Sequence, residues 1–250
     1  MAVFLLCFAL PVGLSLAGRY VGEASAMKWW EARNDTTHQA PDPATTPEAV
    51  VEVYAARAFS WRGAFGVHTW ITAKPTGAES YTRYEVIGWR HYRGMSAVAV
   101  HHGVPDGYWF GNRPYKLASF RGDGVDAMIA KIGAAATRYP FPDQYRVWPG
   151  PNSNTFTAFI GREVPELGLD LPPHAIGKDY LTNGSIVAPT PSGTGYQLSL
   201  FGLAGVLMAM EEGLELNLLG LTFGFDVLTP ALKLPGLGRL GFPQQVDEAS

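Results

Sequence analysis

A histidine inside an apolar, β-branched run and a serine directly after a helix-capping asparagine are two parts of a nucleophilic site. His68 lies in Val67-His68-Thr69-Trp70-Ile71, and Ser153 in Pro151-Asn152-Ser153-Asn154-Thr155-Phe156. A serine hydroxyl is a weak nucleophile until a neighbouring base takes its proton, so the pair does chemistry only if folding joins it. His68 would then be the base, and a third polar group would hold the imidazole tautomer. Glu85, on the strand-like run after the histidine, carries the required acceptor. The Ser153 amide and the Asn152 side chain, with Asn154 beside them, would form or support an oxyanion hole, because donors at a helix start point toward developing negative charge. The chemistry expected of this set is serine-dependent acyl transfer or hydrolysis. Its structural counterparts are a plain capping serine, a core histidine beside Trp70 and a surface glutamate.

Other candidates are poorer in chemistry. His101-His102 invites a metal reading, but adjacent strand residues point to opposite faces and do not readily chelate one ion. His91 and His174 lack partners at ligand spacing and read as surface residues. Gly122-Asp123-Gly124 is too short for a phosphate loop and has no lysine. The single cysteine, Cys7, lies in the leading apolar run, which leaves the domain without an internal disulfide or a thiol nucleophile. No metal and no cofactor is expected. Tyr108, Trp109, Phe110, Tyr139, Phe141, Tyr145 and Trp148 are candidates for an apolar substrate cleft or for core packing.

Strands are expected near 65–73, 81–89, 96–102 and 115–120, where branched and aromatic residues concentrate between Gly and Pro punctuation. After Asp123, read as an N-cap, Val125, Met128, Ile129 and Ile132 recur at helical spacing up to Pro140. A second helix is expected from Asn152, with Phe156, Phe159 and Ile160 as its apolar stripe and Pro165 as its stop. Ser153 would sit in its first turn. From Gly195 to Phe242 the chain is rich in Leu and Gly, and the spacing of Leu214, Leu216 and Leu218 favours short strands, with a membrane-apposed hairpin as the alternative.

The chain has 250 residues, 47% hydrophobic and 16% charged, enough to bury a sizeable core. Its 19 basic and 22 acidic side chains leave a net charge of -3 with no basic stripe, which argues against a nucleic-acid partner. Ala2 to Ala17 is a run of 16 residues without a charge, and Ala24-Ser25-Ala26 has the small-x-small pattern of a signal cleavage site. Residues 1–26 therefore read as a signal peptide or a membrane anchor, and the expected location is the cell envelope, membrane-associated or periplasmic. Residues 27–48, broken by Pro41, Pro43 and Pro47, read as a polar linker. An α+β domain is expected over 49–194, followed by an extension over 195–250. Membrane lipid or another envelope component is the expected partner, and the oligomeric state is open.

Two resemblances sharpen these expectations. Asn152-Ser153-Asn154-Thr155-Phe156 resembles the Asn-Cys-Asn-x-Phe type of motif of circularly permuted papain-like proteins of the NlpC type, with serine in the cysteine slot and the histidine strand ahead of the nucleophile helix. That likeness implies an antiparallel sheet plus helices and a hydrolase or acyltransferase acting on an ester or amide bond of an envelope component. Over a longer span the chain resembles a proteobacterial envelope family known only as a domain of unknown function, family 3750, through Phe65-Gly66-Val67-His68-Thr69-Trp70-Ile71, Tyr81-Thr82-Arg83-Tyr84-Glu85-Val86-Ile87-Gly88-Trp89, Trp148-Pro149-Gly150-Pro151-Asn152-Ser153-Asn154-Thr155-Phe156 and Gly177-Lys178-Asp179-Tyr180-Leu181. The second likeness implies no activity. The rival to the hydrolase is a catalytically silent binding or scaffold module at the membrane.

Overall fold

The computed structural model describes residues 4–21, 28–243 and 248–249. Branched and aromatic runs become β1 (Val50–Arg57), β2 (Val67–Lys74), β3 (Thr82–Val86), β4 (Val98–His102) and β5 (Tyr115–Arg121). With the short β13 (Glu248–Ala249) they form a six-stranded sheet in the order β13-β5-β1-β2-β3-β4. Its pairings are antiparallel except β13 with β5.

Alternation gives this sheet two different faces. Val51, Val53, Ala55, Val67, Ile71, Ala73, Tyr84 and Val86 join Ile132 and Ala135 of α3 (Val125–Arg138) and Phe156 and Ile160 of α4 (Ser153–Glu163) in the main core. Each buried Val, Ile or Phe in this set stabilises the fold by roughly 1.5–3 kcal/mol. The other face carries Glu52, Tyr54, His68, Trp70, Arg83 and Glu85, all buried. Asp123 does not cap α3. Gly124, at φ 82°, occupies the N-cap without a side-chain bond. Asn152 does cap α4, in a reciprocal box with Thr155. The strand expected over 81–89 stops at Val86, and α2 (Gly88–Tyr92) takes its end.

Residues 28–48 are not a free linker. Buried Asp106 binds them to the sheet, accepting from Thr36 Oγ1 at 2.7 Å, Thr37 Oγ1 at 3.0 Å and the amides of Gln39 and Ala40. At the N-terminus a π-helical turn (Leu5–Ala9) leads into α1 (Leu10–Val21), and Phe8 is buried beside Phe223. Among the described residues no helix is long and apolar enough to cross a membrane. The cleavage pattern Ala24-Ser25-Ala26 lies outside the described residues.

The Gly/Leu-rich tail forms a second, seven-stranded antiparallel meander of β6 (Val187–Pro189), β7 (Gly195–Leu200), β8 (Ala204–Ala209), β9 (Gly213–Leu218), β10 (Leu221–Asp226), β11 (Ala231–Leu234) and β12 (Gly238–Gly241). It begins at Val187, before the expected boundary at 195. Its polar side chains point inward. Lys233 Nζ reaches the Asp170 carboxylate at 2.7 and 2.8 Å and Glu215 at 3.0 Å, Lys178 pairs with Glu215, and Asn217 donates to Asp179 at 2.6 Å. The two antiparallel sheets and few helices make the chain β-rich and α+β-like.

Candidate functional site

Glu85 is the hub of the polar sheet face. The β2–β3 register sets Arg83 opposite Thr72, and the β3–β4 register sets His101 opposite Arg83, so three basic side chains turn to one carboxylate. His68 Nε2 lies 2.8 Å from Glu85 Oε2, His101 Nε2 3.1 Å from Oε1, and Arg83 Nε 2.8 Å from Oε1 with a second guanidinium nitrogen 3.0 Å from Oε2. Burial alone would raise the Glu85 carboxyl, but the Arg83 charge and the bonds from His101 and His68 outweigh it and hold the group well below the usual carboxylate range. Burial lowers His68 despite its bond to Glu85. His101 is raised, first by its bond to Glu85. Its Nδ1 also lies 3.1 Å from the His102 carbonyl, so both ring nitrogens face acceptors, an arrangement that favours the imidazolium.

Aromatic rings close this cluster from above. Trp109 stacks on His68 with ring centroids 3.6 Å apart and an interplanar angle of 8°, and the Arg83 guanidinium sits 4.1 Å over Trp70. The structure therefore brings His68 and Glu85 together, as the sequence suggested. Arg83, His101 and Trp109 were not expected there. Arg83 had a legible signal, because residues two apart on a strand share a face.

Ser153 lies elsewhere. It is the first residue of α4, which lies against the apolar face of the sheet through Thr69: Thr69 Oγ1 donates to Asn154 Oδ1 at 3.0 Å and lies 2.9 Å from the Thr157 hydroxyl. Since Thr69 turns to α4, its neighbour His68 turns away, to the Glu85 face. Among the described residues no hydrogen bond joins Ser153 Oγ to His68. The expected dyad is not assembled, and strand alternation is the reason.

The asparagines are occupied too. Asn152 Oδ1 accepts from the amides of Asn154 at 3.0 Å and Thr155 at 3.2 Å, while its Nδ2 donates to the Val147 carbonyl at 3.2 Å and the Ile176 carbonyl at 3.0 Å. Asn154 Nδ2 donates to the carbonyls of Val67 at 3.1 Å and Ile176 at 2.8 Å. Neither amide is left to receive an oxyanion, so both serve as ties between α4, β2 and the loop at Ile176. That loop approaches at Gly177, φ 98°, where any side chain would strike Asn152.

The remaining candidates separate. His102 meets Ser80 Oγ at 3.3 Å, on the other face from His101. His174 is buried, not a surface residue, with Nε2 3.1 Å from the Tyr115 hydroxyl, and burial lowers it well below its ordinary value. The aromatics share no cleft. Tyr139 and Phe141 belong to the helix-side core, Trp109 covers His68, and Trp148 donates to the Leu219 carbonyl at 2.8 Å.

These features define a two-sheet protein whose motif residues bind its own elements together around a buried carboxylate. The chain belongs to the family of proteins of unknown function DUF3750, whose model matches residues 48–180, more than half the chain. No curated protein and no solved structure matches it.

Proposed function

We propose that this protein is a catalytically silent binding or scaffold module of the cell envelope, not a serine hydrolase or acyltransferase. The observation that carries this reading is the alternation along β2, which sends Thr69 to α4 and His68 to the opposite face. A serine without a base in reach stays a hydroxyl, and the two asparagines beside it have spent their donors on backbone carbonyls. One feature favours the catalytic alternative: with Nε2 donating to Glu85, neutral His68 keeps a lone pair on Nδ1, which bonds to nothing among the described residues. A papain-like relation for the first sheet and α4 remains part of this proposal, as a scaffold whose nucleophile has been lost.

Labelling with a serine-directed fluorophosphonate tests it. Wild type, Ser153→Ala and His68→Ala should all stay unlabelled under conditions that mark a serine hydrolase. Label on the wild type that both substitutions abolish would restore the hydrolase.

A further inference from the structure

The second sheet is inside out. In β7 to β12 the inward positions hold Gln197, Ser199, Glu215, Asn217, Asp226 and Lys233, all buried, whereas the outward positions are apolar. Strand register lines up Tyr196, Met208, Leu214, Phe225, Leu232 and Leu240 in one row across six strands, each between 43% and 70% exposed. A second row runs from Val187 through Leu198, Val206 and Leu216 to Phe223. No charged side chain interrupts either row. Seven strands of three to six residues, at ~4.8 Å spacing and ~3.3 Å rise per residue, cover on the order of 550 Å², near the upper end of apolar patches on ordinary monomers.

We propose that this face, together with the N-terminal helix, docks on a lipid bilayer. Two observations select lipid over a second copy of the chain. A protein interface of this size needs ~3–6 hydrogen bonds, at about one per 100–200 Å², and the only polar side-chain atom in the two rows is the Tyr196 hydroxyl. The N-terminal segment also stands on the face as a ridge. The π-helical turn meets the face at Phe8, 6.2 Å from Phe223 by ring centroid, and α1 continues past the β11–β12 turn onto residues 60–64, where Ser15 Oγ lies 2.8 Å from the Ala64 carbonyl and 3.0 Å from the Gly236 carbonyl, while Phe4, Leu5, Leu6, Leu10 and Leu14 remain exposed. Hydrocarbon flows around such a ridge, whereas a second flat sheet has to open a groove for it. Among the described residues no helix is long and apolar enough to cross a membrane, and the proposal places these surfaces on the interface.

This inference supplies the partner of the binding-module reading, and the two fail separately: labelling reports on Ser153, vesicle flotation on the sheet. The full chain should float with phosphatidylcholine vesicles, equally at about 0.1 and about 1 M salt, because apolar burial and not charge attraction holds it. Met208→Glu with Leu216→Glu and Phe225→Glu should lower the partition coefficient at least ~100-fold, since each replaces burial in hydrocarbon by a buried charge. Trp89→Glu with Tyr92→Glu, exposed aromatics on α2, should leave it unchanged. If the triple variant loses its circular dichroism, Met208→Glu and Leu240→Glu singly take its place, each expected to lower partition ~10-fold. Folded wild type that does not float, variants that float like wild type, or a wild-type dimer that these variants dissociate without any vesicle binding would overturn the proposal.

Discussion

Replacing Glu85 by glutamine keeps the side-chain shape and removes the one negative charge that Arg83, His68 and His101 share. The Arg83 side chain is only 9% exposed and has Glu85 Nε–Oε at 2.8 Å as its counter-charge, so the variant leaves a cation buried without compensation. The glutamine also presents an amide NH2 where a carboxylate oxygen had accepted, which sets donor against donor at His68 or His101. Breaking a buried pair in this way costs about 3–5 kcal/mol. In a chain of 250 residues, at roughly 2–4 °C per kcal/mol, the melting temperature should fall by about 6–20 °C. Arg83→Met in the same chain removes the stranded cation and should recover part of the loss. The sign with pH follows from the depressed carboxyl: its stabilisation is complete above the ordinary value of 4.5 and disappears as pH falls toward the lower folded value, so Glu85→Gln should lose less stability on acidification than wild type. Urea unfolding followed by circular dichroism at pH 7 and pH 4 measures both. A variant within about 1 kcal/mol of wild type at pH 7 would refute the claim that this cluster holds the sheet face together.

Three further substitutions follow from the same accounting of partners. Glu212, which accepts from the Ser192 amide at 3.1 Å and from its hydroxyl, is pushed up by burial to about 7, so the folded state holds a proton that the unfolded state releases above 4.5. Wild type should therefore lose on the order of 3 kcal/mol relative to Glu212→Gln as pH rises from 4.5 to about 7, and parallel melting curves across that range would contradict it. Asn152→Ala removes the α4 cap and strands the Val147 carbonyl, while the Ile176 carbonyl keeps its bond from Asn154, a loss of about 2–4 kcal/mol, whereas Ser153→Ala should cost less than about 1 kcal/mol; urea unfolding that ranks them in the opposite order would return a central role to the serine.

Elements that rest on local periodicity were legible in the sequence. The α4 cap at Asn152, the stripe of Phe156 and Ile160 and the strand nature of the Leu/Gly tail all follow from residues within one or two turns of each other. Pairings set by which face of a strand a residue takes were only half legible. His68 and Glu85 could be paired because they sit on consecutive strands, but their separation from Ser153 depends on which face of β2 receives α4, and that is decided by Thr69, whose hydroxyl carries no periodic signal. His174 was misread because nothing next to it in sequence signals that Tyr115, distant in the chain, will meet it in a buried site. The ties of residues 36–40 to the folded body left no local sign, because their partner, Asp106, lies in another loop.

The two sheets solve opposite problems with one device. In the first, the face away from the helices would expose Tyr54, Trp70 and His68, and the chain covers it with residues 28–48 and the loop bearing Trp109, pairing the cations it traps with Glu85 or Glu52 and surrounding Asp106 with hydroxyl and amide donors. In the second, the ions are buried on the inner face, where Lys178 and Lys233 meet Glu215, Asp170 and Asp179, so that sheet is joined to the first unit by charges. Buried ion pairs contribute little net stability compared with apolar packing, while breaking them costs several kcal/mol. An arrangement that spends apolar side chains on the outside and polar ones on the inside gives up folding free energy that a conventional sheet would keep. On the proposed lipid surface that free energy is recovered as the outer rows leave water, which would tie the fold of the second sheet to its partner.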